Sequence, residues 1–238
     1  MKPELGSKIQ FVLAIALLIA AARVGDIYYQ RSHAPKPAKK AIPPLDPDFY
    51  VLPKKLYPYD LKSAQQLTKQ PVWAKVGYSY TYCRYDRARH RTDFAHPAGL
   101  LLPIEKVQIT DVVTDKAPDS EGERQIMAVF DKDGKTYAFS VGFVKGNDYH
   151  FYSDSMLFIQ DPHDLYKDWP AAIWQAIDKH QAALGMSELQ SDLAIGLGIP
   201  LRNGDAGNRT VSYPNGGHPL LITYQDGKAV KIKPQLPP

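Results

Sequence analysis

Residues 125–141 read QIMAVFDKDGKTYAFSV. Gln125–Phe130 and Thr136–Val141 are strand-like runs, and Asp131-Lys132-Asp133-Gly134 stands between them. Asp-Gly accepts the positive φ that a tight turn demands, so this stretch predicts a β-hairpin. The period of two extends outward from it. Val72-Trp73 and Val76–Tyr82 alternate as a strand should, with Tyr78, Tyr80 and Tyr82 on one face. Leu101–Thr114, with Ile104, Val107, Ile109, Val112 and Val113, predicts a long or bent strand, and Met156–Ile159 a last short one. Between these, Arg84–His96 (RYDRARHRTDFAH) reads as a polar break and Asp115–Arg124 as an acidic loop. A short helix is expected from Leu61, capped by Ser63 and ending before Pro71. About five short strands over roughly ninety residues predict a small all-β domain, an SH3-like barrel or sandwich, over residues 59–160.

At Asp161 the period changes. Asp168-Trp169-Pro170 reads as a helix start, Asp capping and Pro filling the first turn, and Ile173, Trp174 and Ile177 form one apolar stripe. Ser187-Glu188-Leu189-Gln190 is a capping box, and Leu189, Leu193 and Leu197 follow on one face until Gly198 and Pro200 stop the helix. Thr210–Tyr213, Leu220–Tyr224 and Ala229–Ile232 then predict three strands with turns at Pro214–Gly217 and Asp226-Gly227. The expected fold class is therefore α+β: an N-terminal membrane segment, the small β domain, then a two-helix, three-stranded antiparallel module over residues 161–238.

Gly185-Met186-Ser187-x-x-Gln190, Gly198-Ile199-Pro200, the strand-ending Tyr213 and Asp226-Gly227-Lys228-Ala229-Val230 together resemble the BamE/SmpA-like module of bacterial envelope proteins. The likeness covers residues 170–233. Ser191 stands where that family has Val, and its lipidated Cys is absent. The resemblance implies two helices on a three-stranded sheet, an envelope habitat and a role in binding other proteins. It carries over no catalytic residue and no named partner.

The N-terminus decides the expected compartment. Phe11–Ala22 (FVLAIALLIAAA) is an apolar run after Lys2 and Lys8 and before Arg23. It reads as a secretory signal cleaved near Ala20 or Ala22, or as an uncleaved anchor reaching from Ile9 to Tyr29 with Tyr28 and Tyr29 at the interface. Arg23 directly after the cleavage site favours the anchor within residues 1–31. The basic flank beyond it (Arg23, Arg31, Lys36, Lys39, Lys40) favours a cytoplasmic C-terminal side, and the basic head with its short core favours export. We expect a single-pass inner-membrane protein with its domains in the periplasm, in contact with the membrane through residues 9–29. Residues 32–58, rich in Pro, Lys and Ala, predict a stiff polyproline-like linker.

Charge excludes one class of partner. The chain carries 29 Lys/Arg against 25 Asp/Glu, but nine of those cations and only four of the acids fall in residues 1–55. The remainder is close to neutral, which argues against nucleic acid. Cys83 is the only cysteine, so no intramolecular disulfide forms, and its place in a Tyr-rich strand marks a packed thiol.

Chemistry concentrates in Arg84–His96. Arg84, Arg87, Arg89 and Arg91 form a patch able to grip a carboxylate or phosphate, with Tyr78 and Tyr80 as a neighbouring aromatic face. His90, Asp93 and His96 are spaced H-x-x-D-x-x-H, ligand spacing on a helix, but no helical apolar stripe accompanies them and Arg89 and Arg91 would repel a cation. The plainer reading is a solvated loop. No nucleophile elbow, phosphate loop or metal set is present, so we expect no cofactor, no metal and no catalytic residue. The expected function is a membrane-tethered envelope module that binds or assembles a protein partner. The alternatives are an envelope or cell-wall binder of anionic ligands through Arg84–Arg91, and an enzyme of unfamiliar type.

Overall fold

The computed structural model describes residues 4–33, 51–118, 122–201 and 204–235. The chain divides into two units, Met1–Leu45 and Asp46–Pro238. In the first, Glu4–His33 form one helix, α1. Among the described residues no helix is long and apolar enough to cross a membrane. The physical reason is the shortness of the apolar run, since a span needs about 20 apolar residues and extension past Ala22 admits Arg23 and Asp26. The expected single-pass inner-membrane anchor, with domains facing the periplasm, is therefore not supported. Most of the proline-rich linker, residues 34–50, lies outside the described residues. From Val51 the chain runs irregularly along the second unit, with Val51 and Leu56 packed inward and Lys54 N–H donating to Gln160 Oε1.

The second unit begins with α2 (Leu61–Ala64) and a 3-10 turn over Gln65–Lys69. The strands that follow are β1 (Val72–Ala74), β2 (Thr81–Asp86), β3 (Arg91–Leu100), β4 (Lys106–Val107), β5 (Ile109–Asp115), β6 (Glu123–Lys132), β7 (Lys135–Lys145) and β8 (Asp148–Phe151). Then come α3 (Ser153–Met156), β9 (Leu157–Phe158), α4 (Pro162–Leu165), α5 (Ala171–Asp178) and α6 (Glu188–Ile195). The last strands are β10 (Ile199–Pro200), β11 (Thr210–Tyr213), β12 (Leu220–Gln225) and β13 (Lys228–Pro234). They build three antiparallel sheets, ordered β3-β2-β7-β6-β5 with β8 beside β7, β4-β1-β9, and β10-β11-β12-β13.

The class is thus mostly β, which corrects the α+β expectation. A six-stranded sheet with a separate three-stranded one replaces the SH3-like barrel or sandwich, and a four-stranded sheet with short helices replaces the two-helix, three-stranded module. The added strands are edges. β3 has its flanks largely in water and β10 is two exposed residues long, so neither carries the apolar alternation that marks a half-buried strand.

The β6–β7 hairpin is the spine of the large sheet. Asp133 and Gly134 both take positive φ (52° and 70°) between paired Lys132 and Lys135. Alternate β6 residues serve opposite faces. Ile126, Ala128 and Phe130 join Leu67, Phe139 and Val141 in the first core, while Met127 and Val129 meet Tyr85 and Ala138 on the other face. The sheet curls until its two edges meet, and the buried Asp115 of β5 accepts the Thr92 N–H of β3.

Three residues connect the cores. In β1, Val72 and Ala74 enter the first core and Trp73 enters the second. Its partner β9 repeats this, Leu157 facing one way and Phe158, directly opposite Trp73, the other. The second core continues through Tyr166 stacked on Trp169 (4.3 Å between centroids) into the layer of α5, α6 and the four-stranded sheet. The capping box of α6 closes, Ser187 Oγ accepting Gln190 N–H and Gln190 Oε1 accepting Ser187 N–H. Asp168 does not cap α5; the helix starts behind Pro170 without a side-chain cap. Gly196 ends α6 at φ 86°, and a Cβ there would lie 2.6 Å from the Gly77 carbonyl oxygen, so only glycine lets this layer meet the β1–β2 connection.

Trp73→Ala removes a ring from the second core while perturbing a strand of the first. We expect a loss of about 3–5 kcal/mol in denaturant unfolding, with both cores melting in one transition by near-ultraviolet circular dichroism. Two separated transitions would show that β1 does not couple the cores.

Candidate functional site

The polar run Arg84–His96 folds as a hairpin. β2 carries Cys83 and Tyr85 inward and Arg84 and Asp86 outward. Asp86 Oδ1 then accepts the N–H groups of Ala88 (2.9 Å) and Arg89 (3.1 Å), the Asx arrangement that turns a chain locally. His90 takes φ 51° at the tip, and Arg91 returns opposite Asp86. Past Thr92 the pairing slips. Tyr85 faces Thr92 but Cys83 faces Pro97, so Asp93–His96 bulge from the edge of the sheet.

Arg87 braces this hairpin. Its guanidinium donates to Asp131 Oδ2 (3.0 Å), Thr110 Oγ1 (2.9 Å) and Thr136 Oγ1 (3.3 Å), and so ties the turn to β5, β6 and the start of β7. The Thr136 hydroxyl first, and the Arg87 guanidinium after it, hold the Asp131 carboxyl below the usual carboxylate range.

Inside the curl lies an open groove of about 1070 Å³. Arg84, Arg87, Arg89 and Arg91 line it from the hairpin, Lys116 from the end of β5 and Lys135 from the start of β7. Asp86, Asp93 and Asp115 are its acids, and each is engaged within the protein. Asp86 closes the turn, Asp93 holds His96 Nδ1 (3.0 Å), and Asp115 accepts the N–H groups of Thr92 and Lys116. The cations are freer. Arg89 reaches Asp86 only at 3.7 Å, and among the described residues no side-chain partner engages Arg84 or Arg91. Thr92, 3% exposed, is part of the lining, and its buried hydroxyl has no hydrogen-bond partner among the described residues. Compared with known proteins, the chain matches no family model, no curated protein and no solved structure.

The structure brings the four expected arginines together and leaves the two tyrosines elsewhere. Tyr80 packs on the first core, where burial pushes its hydroxyl up to about 12. Tyr78, at φ 62°, lies in the turn before β2 with its ring against Gly196 and Gly216. His90, Asp93 and His96 do not share a helix face, because the run is a turn and a bulged strand, and among the described residues no group of three His, Cys, Asp or Glu is placed to hold a metal. Burial, and after it the charge of Asp93, raises the Cys83 thiol, which is therefore a poor nucleophile. Sequence analysis missed Thr92, Asp115, Lys116 and Lys135. They come from three separate segments, and only the curl of the sheet gathers them.

A second polar cluster lies in the C-terminal layer. Tyr213 and Tyr224, both buried, share a hydrogen bond of 2.8 Å, and Asp192 Oδ1 accepts the Gly198 N–H (3.2 Å) where α6 gives way to β10. Arg209 forks onto the Glu188 carboxylate beside it (2.6 and 3.1 Å). Every member has a structural partner, so we assign the cluster to folding. Burial raises the Asp192 carboxyl to about 7, against the lowering pull of the Gly198 and Tyr213 bonds, with Glu188 raising it and Arg209 lowering it. The folded state thus holds this proton more tightly than the unfolded chain, whose value is near 3.8. The stability from this group is present in acid and is lost as pH rises through about 7. Asp192→Asn keeps the acceptor for Gly198 and removes the charge. We expect that variant to unfold at higher denaturant than the parent on the alkaline side, with the difference vanishing in acid. Equal midpoints across the range would show that Asp192 does not titrate there.

Proposed function

We propose that this protein is a binding module whose basic groove takes an anionic ligand through Arg84, Arg89 and Arg91. One observation carries the reading: six cationic side chains converge on the groove while its three acids are already engaged. Guanidinium groups without carboxylate partners, as on Arg84 and Arg91, are prepared to form bidentate, charge-assisted bonds to carboxylate or phosphate oxygens, and the long Arg89–Asp86 contact of 3.7 Å leaves Arg89 close to that state. The Arg87 brace fixes the turn that presents them, so less conformational entropy is lost on binding.

Recognition by strand addition, the usual route for a protein that offers a sheet edge, has less support. The edge strands β3, β5, β10 and β13 each carry a guard of the kind that blocks pairing. β3 is bulged and contains Pro97, and its Thr92 N–H is taken by Asp115. Gln65 Nε2 donates to Asp111 Oδ1 and to the Val112 carbonyl on β5. β10 is two residues long with Pro200, and β13 carries Lys228, Lys231, Lys233 and Pro234.

The test is elution of the full chain from a phosphocellulose column in a salt gradient. Ion pairs at an open groove are screened by salt, so the Arg84→Ala, Arg91→Ala double variant should elute at distinctly lower salt than the parent. A Lys228→Ala, Lys231→Ala variant removes the same charge from the C-terminal sheet and should elute close to the parent. Equal shifts in both variants would reduce the groove to general surface charge and overturn the proposal.

A further inference from the structure

The lining of the groove narrows the class of ligand, on the premise that the groove is the binding site. Its cations come from three segments, the Arg84–Arg91 hairpin, Lys116 after β5 and Lys135 at the start of β7. Apolar groups also line it: the half-buried Phe94, with Ala95, Ala117 and Pro118. Phe94 packs against the cluster of Tyr85, Met127, Val129 and Ala138 and is only partly covered. A phosphate polymer gains nothing from this apolar surface. A single small acid would leave much of the volume empty, because about 1070 Å³ exceeds the common range for small-molecule sites. Exposed acidic side chains with an apolar neighbour are what a polypeptide supplies, and they match a lining of cations beside a partly uncovered ring.

We infer that the ligand is an acidic polypeptide segment, its carboxylates meeting Arg84, Arg89 and Arg91 and one apolar side chain covering Phe94. The hairpin arginines supply the charge recognition, and Phe94 and Pro118 the apolar contact. The engaged acids of the groove repel a like-charged chain less than free ones would, since each carboxylate is already neutralised in part by its own donors. The partner is thus a protein that presents an exposed stretch of Asp or Glu around a Leu or Phe.

The experiment uses fluorescein-labelled peptides and the full chain, followed by anisotropy. One peptide has alternating Glu and Ser around a central Leu. A second has Ser in place of that Leu, and unlabelled inorganic polyphosphate serves as competitor. Burying a leucine side chain predicts that the Leu peptide binds about tenfold tighter than the Ser peptide. Loss of a charge-assisted bond predicts about a tenfold weakening for Arg84→Ala or Arg91→Ala alone. Phe94→Ala, with its fold confirmed by circular dichroism, should erase the preference for Leu and leave the arginine effect in place. If Phe94→Ala does not fold, the two peptides on the parent chain decide the point. Equal binding of both peptides would overturn the acidic-apolar inference. Binding of polyphosphate with neither peptide bound would overturn it as well, while the groove as an anion site would stand. If no anionic probe binds, both the inference and the groove fall.

Discussion

The strand Val72–Ala74 is short, yet the second unit depends on it. Side chains on a strand alternate between faces, so three buried residues serve two interiors, and Val72 and Ala74 cannot leave one core without moving Trp73 in the other. β9 places Phe158 against Trp73 and Leu157 on the opposite side, which makes the small sheet a wall shared by both cores. Lys106, from β4, lies over the Trp73 ring at 5.5 Å and covers part of the face that the cores leave open. A wall of this kind keeps the curled sheet and the helical layer in fixed register without a long interface between them. The glycine contacts at Gly77 and Gly196 add steric limits at the same junction, since a Cβ at Gly77 would lie 1.9 Å from the Pro103 nitrogen.

With one face of the large sheet sealed against that wall, only the other is left to form a site. Five consecutive β6 residues, Ile126–Phe130, are buried, so both faces of the sheet are apolar near its middle. The far face has few residues to cover it: Tyr85, Met127, Val129 and Ala138, with Phe94 and Val113 at the margin. Curling the sheet brings β3 over this cluster and leaves a groove beside it. Asp115 to Thr92 joins the edge strands β5 and β3, which the backbone ladder does not, and Arg87 adds bonds from the β2–β3 turn to Thr110, Asp131 and Thr136. The groove is therefore a by-product of closing a small core, and its shape is set by the same bonds that stabilise the fold.

Local chemistry was legible where it is local. Asp133-Gly134 carries its turn in two residues, and Ser187 with Gln190 carries its cap in four, so both can be read without knowing the fold. The Arg84–His96 run was legible as a cluster of guanidinium groups and illegible as a strand. An edge strand with water on most of its surface has no reason to alternate, and Arg91–Leu100 does not. The Tyr78–Tyr82 alternation was read as one strand face, but the strand begins only at Thr81, and the chain before it turns through Tyr78 at positive φ. Thr92, Asp115, Lys116 and Lys135 had no signal at all, because their proximity follows from long-range pairing. Asp168 shows the opposite failure, a residue of the right type at the right place whose cap is not used because the chain between Tyr166 and Pro170 is held by Trp169 packing instead.

The near-neutral charge of the folded part, beyond residue 55, hides the basis of the site. Asp and Glu are as frequent there as Lys and Arg, yet the two signs are employed differently around the groove. A carboxylate accepts backbone N–H groups, and it can therefore close turns and cap strand edges, as Asp86 and Asp115 do. A guanidinium has no acceptor and cannot replace it in these roles. Where a hairpin is built from both signs, the acids are drawn into the backbone and the arginines are left facing outward. Arg87 is the exception because Asp131, itself held by Thr136, gives it a partner within the fold. The residual positive field is thus a local consequence of turn chemistry, and it arises in a domain whose overall charge gives no hint of it.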